Sequence, residues 1–265
     1  MVNRLFNLIR VGDEPSAPRS RLLELAHCLL ALALLSGGFT YAFSQFDYQW
    51  NWRVLAEYQP LLWRGWWTTV ALSLAALCLS VLIGMVVALA LLSRLPVLRY
   101  LARIYVEMVR GTPLLVQILI CFYVFANAVG IQDRYLVGIM TLSLFSGAYV
   151  TEIFRAGMES VGRSQWESAR AIGLTPAQTY RYVVFPQALR QTLPPLAGQF
   201  VSLIKDSSLL SYISIRELTF AAQSVTSLTY SSLEVYLPLA LGYLVLTLPI
   251  SLWTQALERR VHFHT

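Results

Sequence analysis

Few side chains in this sequence are able to do chemistry, and they are widely separated. Lys205 and Asp206 stand side by side between two charge-free stretches and are followed by Ser207 and Ser208; Glu152 sits three residues before Arg155; Gln117 is isolated in an apolar run. An ionisable group inside an apolar chain is costly and marks a substrate or ion path, so Lys205, Asp206, Ser207, Ser208, Gln117 and Glu152 are candidates for contacts along such a path. Each also has a plainer account. A helix that ends at Lys205 would put that pair at the membrane surface, Glu152 can pair with Arg155 on one helix face, and Gln117 can make a hydrogen bond between helices. Catalytic sets are missing. Ser146 and His27 are the raw material for a serine hydrolase, but Leu144 stands where a nucleophile elbow needs glycine, and there is no HExxH, dinucleotide loop or paired acid and base. Cys28, Cys78 and Cys121 lie in separate apolar runs with no ligand spacing, so no metal site is expected and all three are read as small buried hydrophobes.

Composition explains the scarcity. The chain has 265 residues, of which 57% are hydrophobic and 13% charged, and its mean hydropathy is +0.58. The expected fold class is therefore an all-α integral membrane protein. A net charge of +6 raises the possibility of nucleic acid, but the arginines are spread between apolar runs rather than clustered, so no nucleic acid partner is expected. The first apolar run begins too late and is too long for a cleaved secretory signal, and is read as a retained spanning helix.

Stretches long enough to cross the hydrocarbon core occur at 25–46, 65–93, 111–132, 135–151 and 235–257, with a sixth, interrupted by Lys205 and Asp206, at 191–215. Six spans leave both termini on one side. Arg4, Arg10, Arg19, Arg21, Arg94, Arg99, Arg103, Arg110, Arg155, Arg163, Arg170, Arg181, Arg190, Arg259 and Arg260 then share that side, against Arg53, Arg64, Arg134 and Arg216 on the other, and the positive-inside rule makes the arginine-rich side cytoplasmic. The expected organisation is a cytoplasmic segment at 1–24, a spanning helix at 25–46, an outer amphipathic connector at 47–64 bearing an aromatic belt (Trp50, Trp52, Trp63, Trp66 and Trp67), a membrane domain at 65–258 and a cytoplasmic tail at 259–265.

One polar element interrupts the apolar pattern, in the cytoplasmic loop 159–190. Ser164 with Glu167, and Thr175 with Gln178, each have capping-box spacing. Gly173 between them can take the left-handed conformation that closes a helix, and Pro176 suits a first helical position. The pattern predicts a helix of about two turns, roughly 13 Å long, then a corner at Gly173 and a second helix that stops at Pro186. So short a helix needs a groove to pack into. It is either a surface connector or a docking element for a soluble partner. Lys205 is the only lysine and follows Val201-Ser202-Leu203-Ile204, so these residues contain no GxxxxGK[ST] phosphate loop. ATP-driven work would need the nucleotide on another subunit.

Glu167-Ser168-Ala169, Gly173 and Phe185-Pro186, with "VEMVRGTPLLVQ" (106–117), "GAYVTEIFRAGMESV" (147–161) and "LIKDSSLLSYISIREL" (203–218), resemble the permease subunits of bacterial ATP-binding-cassette importers, in the branch that takes up polar amino acids. The likeness runs from about Trp63 to Arg260. It departs from the family pattern at Ser168, where alanine is usual. The resemblance implies a type I ABC importer-like transmembrane domain of five core helices plus one added N-terminal helix, in the bacterial inner membrane. It implies a coupling loop through Ser164, Glu167, Ser168, Ala169, Gly173, Thr175 and Pro186. No cofactor would bind this chain, ATP and Mg being held by a partner ATPase dimer. Further implied partners are a second permease copy or a related permease, an extracytoplasmic solute-binding protein and an amino acid as cargo. A self-sufficient secondary transporter or channel is the alternative; it would lack both a repeat signal and a task for the loop.

Overall fold

No water solvates a backbone inside a bilayer, so each spanning segment must satisfy its own N–H and C=O groups, and a helix does so. The computed structural model describes residues 21–44 and 48–262, and contains no strand among them. Most of the expected 1–24 segment and the end of the 259–265 tail lie outside the described residues. The chain divides at Trp50. The first unit holds α1 (Arg21–Ser44), whose described side chains are all exposed.

The second unit begins with α2 (Arg53–Leu91), 39 residues long. At 1.5 Å per residue this is about 58 Å, nearly twice a hydrocarbon core. The expected connector at 47–64 is therefore not a separate element beyond its first residues: from Arg53 it is the N-terminal end of α2 and continues through Pro60. Val54, Tyr58, Leu61 and Leu62 pack there on Ala222, Val225 and Val235, and that burial holds the helix together across the donor that Pro60 lacks. Trp63 and Trp66 stack with centroids 5.3 Å apart, and Trp67 meets both edge-on.

After α2 the chain turns into α3 (Pro96–Arg110), then α4 (Leu114–Val129), at 108° to each other. Helix α5 (Arg134–Glu159) is started by the Asp133 carboxylate, which accepts from the N–H of Tyr135 and Leu136. Two short helices, α6 (Arg163–Ala171) and α7 (Pro176–Thr179), lead through a π turn into α8 (Phe185–Asp206). A 3-10 turn (Ser207–Ile213), α9 (Leu218–Thr229) and α10 (Ser232–His262) complete the fold.

By length and composition α2, α5 and α10 can each cross a membrane, and α3 with α4 is a further, bent candidate. The expected 25–46 span falls on α1, with 45–46 outside the described residues. One expected span does not form as a single helix. The proposed 191–215 helix instead starts at Phe185 and ends at Asp206, because the chain tightens to 3-10 geometry at Ser207 and reverses at Ser214, whose φ is 58°. Cysteine 78 is another correction: Cys78 is exposed on an outward face of α2, and Cys121 is only partly buried.

The core joins α2, α4, α5, α8 and the 3-10 turn through Leu72, Ile118, Leu142, Leu203, Leu210 and Ile215. Between α2 and α5 the backbones approach closely, as small residues allow in membranes. A Cβ on Gly84 would sit 2.5 Å from Val150 Cγ1, and one on Gly147 2.8 Å from Ile83 Cγ2. Gly84→Leu should separate these helices and cost about 1–3 kcal/mol from overpacking. Thermal unfolding in detergent checks this: a lowered melting midpoint is expected, and an unchanged one would mean that the crossing is not tightly packed.

Candidate functional sites

The loop between α5 and α8 is a rigid bent object. Its first arm, α6, is nine residues long, as the spacing predicts, but its start differs. Gly162 is the N-cap, with no side-chain cap bond, so Ser164 and Glu167 do not form a capping box. The Gln165 N–H donates to the Gly162 carbonyl, which starts the helix at Arg163 and leaves Ser164 inside its first turn, two residues beyond the position where a capping hydroxyl works. The second box is present: Thr175 Oγ1 accepts from the Gln178 N–H at 3.3 Å, and Gln178 Oε1 accepts from the Thr175 N–H at 2.9 Å.

The corner is a Schellman closure. Gly173 has φ of 81°, its N–H donates to Arg170, and the Leu174 N–H donates to Ala169. The predicted stop at Pro186 does not occur. Residues Tyr180–Val184 form a π turn, after which Pro186 sits in the first turn of α8, where its missing donor costs no helical bond. The corner and the π turn therefore set the angle of the loop, and the helical path runs on into the membrane domain.

One face of the loop is anchored. Val161, Val184 and Ala188 form a small core against Met158 and Trp166, and Ala169 is buried at 3% exposure. The other face is free: Glu167, Ser168 and Arg170 are exposed, and Ile172, beside the corner, is 77% exposed. With Ser168 exposed, serine in place of alanine leaves the packing undisturbed.

The other candidates are spread along the spans. Lys205 is exposed and Asp206 half-buried at the end of α8; Ser207 is buried, with its hydroxyl donated back to the Ile204 carbonyl at 2.7 Å, and Ser208 is half-buried. Since α8 is about 33 Å long, these four residues are brought together at its far end. Gln117 lies elsewhere and is committed to the α3–α4 corner. Its amide donates to the Val109 carbonyl at 2.8 Å and the Thr112 carbonyl at 3.1 Å, and Thr112 Oγ1 lies at 2.7 Å. Glu152 accepts a two-pronged bond from Arg155 at 3.2 and 2.7 Å, Arg155 also donates to Glu159, and Arg110 stands 3.6 Å from Glu152.

Sequence reasoning missed Glu217, which is fully buried. Its carboxylate caps α9 by accepting from the N–H of Thr219 and Phe220, and takes a third bond from Tyr243 on α10. From α2, Thr69 Oγ1 accepts the Leu218 N–H. Helix starts favour acids, and "RELTF" carries that signal, hidden among the polar residues of a loop. Burial lifts this carboxyl, outside the spanning helices, from 4.5 to about 7, against the pull of its donors. A raised folded-state value means that this contribution to stability is full below the unfolded value and is lost as pH rises through 7. The melting midpoint is expected to fall between pH 5 and pH 8, and Glu217→Gln to flatten that slope; equal slopes in both proteins would remove Glu217 as the cause.

A membrane domain that is all-helical among the described residues and carries a rigid polar loop defines the class: the membrane subunit of a transporter. The comparisons agree. Residues 80–263 match the family of binding-protein-dependent transport system inner membrane components, and the chain belongs to that family. It is 36% identical over 78% of its length to the L-cystine transport system permease protein TcyB of Bacillus subtilis, covering 89% of that protein. It is 33% identical over 80% of its length to the glutamine transport system permease protein GlnP of Escherichia coli, covering 98%. The crystal structure of an amino acid ABC transporter with histidines superposes with a TM-score of 0.75 at 36% identity, over 80% of this chain and all of that one. The inward-facing MetNI methionine ABC transporter, at 20% identity and a TM-score of 0.64, covering 77% of this chain and 97% of that one, shares the fold. The chain is thus an ABC importer permease subunit with the type I importer fold, a multi-pass protein of the inner membrane that works with an ATPase and a second permease.

Proposed function

We propose that this permease imports polar amino acids by alternating access, with α6 as the coupling helix that ATPase subunits grip. The observation that carries the coupling reading is the loop's construction. Trp166 and Val161 fix α6 to the base of α8 and Ala169 is buried, while Glu167, Arg170 and Ile172 project outward, so force on the exposed face is transmitted to α8. Glu167 is the polar contact and Gly173 the corner; Thr175 and Pro186 set the exit. ATP and Mg belong on the partner. The positive-inside count supports cytoplasmic termini and a cytoplasmic loop. An N-terminal helix at 25–46, added to the 65–258 membrane domain, accords with the division of the chain at Trp50.

The cargo reading rests on relatives whose names specify cystine and glutamine transport, and an extracytoplasmic binding protein would deliver the amino acid. Asp206, with Lys205 and Ser208 beside it, supplies charged and polar groups for a zwitterion near the outer end of α8. Two substitutions test the loop. Glu167→Lys reverses the contact charge, and Gly173→Val forces a branched residue into left-handed geometry at a cost of about 1–2 kcal/mol. Both are expected to insert normally yet lose ATPase co-purification or substrate-stimulated hydrolysis; wild-type behaviour in both would remove the coupling role. For the cargo path, Asp206→Ala is expected to change uptake kinetics in proteoliposomes, and unchanged kinetics would reduce Asp206 to an interface residue.

A further inference from the structure

Two cavities, one mainly polar and one mainly apolar, meet at one ion pair. A cavity of about 740 Å³ is lined by Arg99, Arg103, Arg155 and Glu159, and one of about 530 Å³ by Tyr149, Gln191 and Gln199; Arg110 and Glu152 line both. No other residue is shared. The pair therefore forms the wall between an upper compartment, against α5 and α8, and a lower one that opens among the arginines at the end of α5.

The wall is weak where it needs to part. Arg110 Nη1 stands 3.6 Å from a Glu152 oxygen, whereas Arg155 holds that same oxygen at 2.7 Å. Each member also keeps a second contact: the Arg110 guanidinium lies 5.3 Å from the centre of the Tyr149 ring, and Glu152 retains Arg155. The pair is partly accessible, with side-chain exposures of 43% for Arg110 and 24% for Glu152, so its contact is weak, and a ligand carrying both charges can part it without leaving either one unpaired. Its carboxylate can take the two-pronged guanidinium bond that Arg110 offers, and its ammonium can take the Glu152 oxygen. A neutral sugar or a simple ion has no such match.

We propose that the Arg110–Glu152 pair is a binding step on the inner half of the path, parting around the zwitterionic head of an α-amino acid, with the carboxylate on Arg110 and the ammonium on Glu152. This rests on the reading of the cargo as an amino acid. It adds Arg110 and Tyr149 to the path, and it gives Glu152 a function beyond its helix pairing with Arg155.

Equilibrium dialysis of the full chain, purified with its ATPase in nanodiscs, tests it. The probes are the standard L-amino acid that the wild type binds best, its α-amide, which lacks the carboxylate, and its N-acetyl derivative, which lacks the ammonium. The wild type is expected to prefer the parent over both derivatives by about tenfold or more. Arg110→Gln should erase the preference over the amide and leave the preference over the N-acetyl compound, and Glu152→Gln should do the reverse. Arg110→Lys should retain part of the first preference. Unchanged discrimination in both neutral variants overturns the proposal while leaving the cargo reading intact. Wild-type protein that binds none of the amino acids overturns both. If Arg110→Gln does not fold, the Glu152→Gln arm decides alone.

Discussion

Everything in this fold follows from a solvent that offers no hydrogen bonds. The bilayer forces each crossing segment into a helix and leaves no hydrophobic drive between helices, so α2 and α5 are held by close backbone contact at Gly84 and Gly147. It also confines charge. The ion pairs of Arg110, Glu152, Arg155 and Glu159 gather at one end of α5, and Lys205 with Asp206 lies at the far end of α8. Polar structure survives where backbone can bend freely, at the loop through Gly173 and the corner at Gly111–Pro113.

Those two bends do different work. Gly173 closes α6 so that one face is buried and the other presented, which makes the loop a handle with a fixed angle. The corner before α4 is braced by Gln117, whose amide donates to the Val109 carbonyl at the end of α3 and to the Thr112 carbonyl just beyond it. Arg110 is the final residue of α3, so the bracing fixes where its guanidinium meets Glu152. A change in the angle between α3 and α5 would open or close that contact, which connects movement of the spanning helices to the cavities on either side.

Local chemistry made much of this legible in the sequence. The Thr175–Gln178 box, Pro176 and the left-handed Gly173 were fixed by neighbours a few residues away, and all are present. Where the reading failed, the deciding partner was distant. Ser164 had the right spacing, yet Gly162 capped α6 because the buried Val161 sets the chain's path there. Pro186 carries a stop signal but follows a π turn that no local pattern announces. Pro60 sits inside α2, where packing against α9 and α10 keeps the helix continuous. Glu217 is meaningful only beside Tyr243 and Thr69, which are far from it in sequence, and Arg110 only beside Glu152.

The central claim is that this chain moves solute only when another subunit pulls on it. Purified chain reconstituted in liposomes, with and without its ATPase partner, measures that directly through uptake of radiolabelled amino acids under an ion gradient or with ATP. The account predicts uptake only when the ATPase and ATP are present together. Uptake by the chain alone, driven by the gradient, would contradict it.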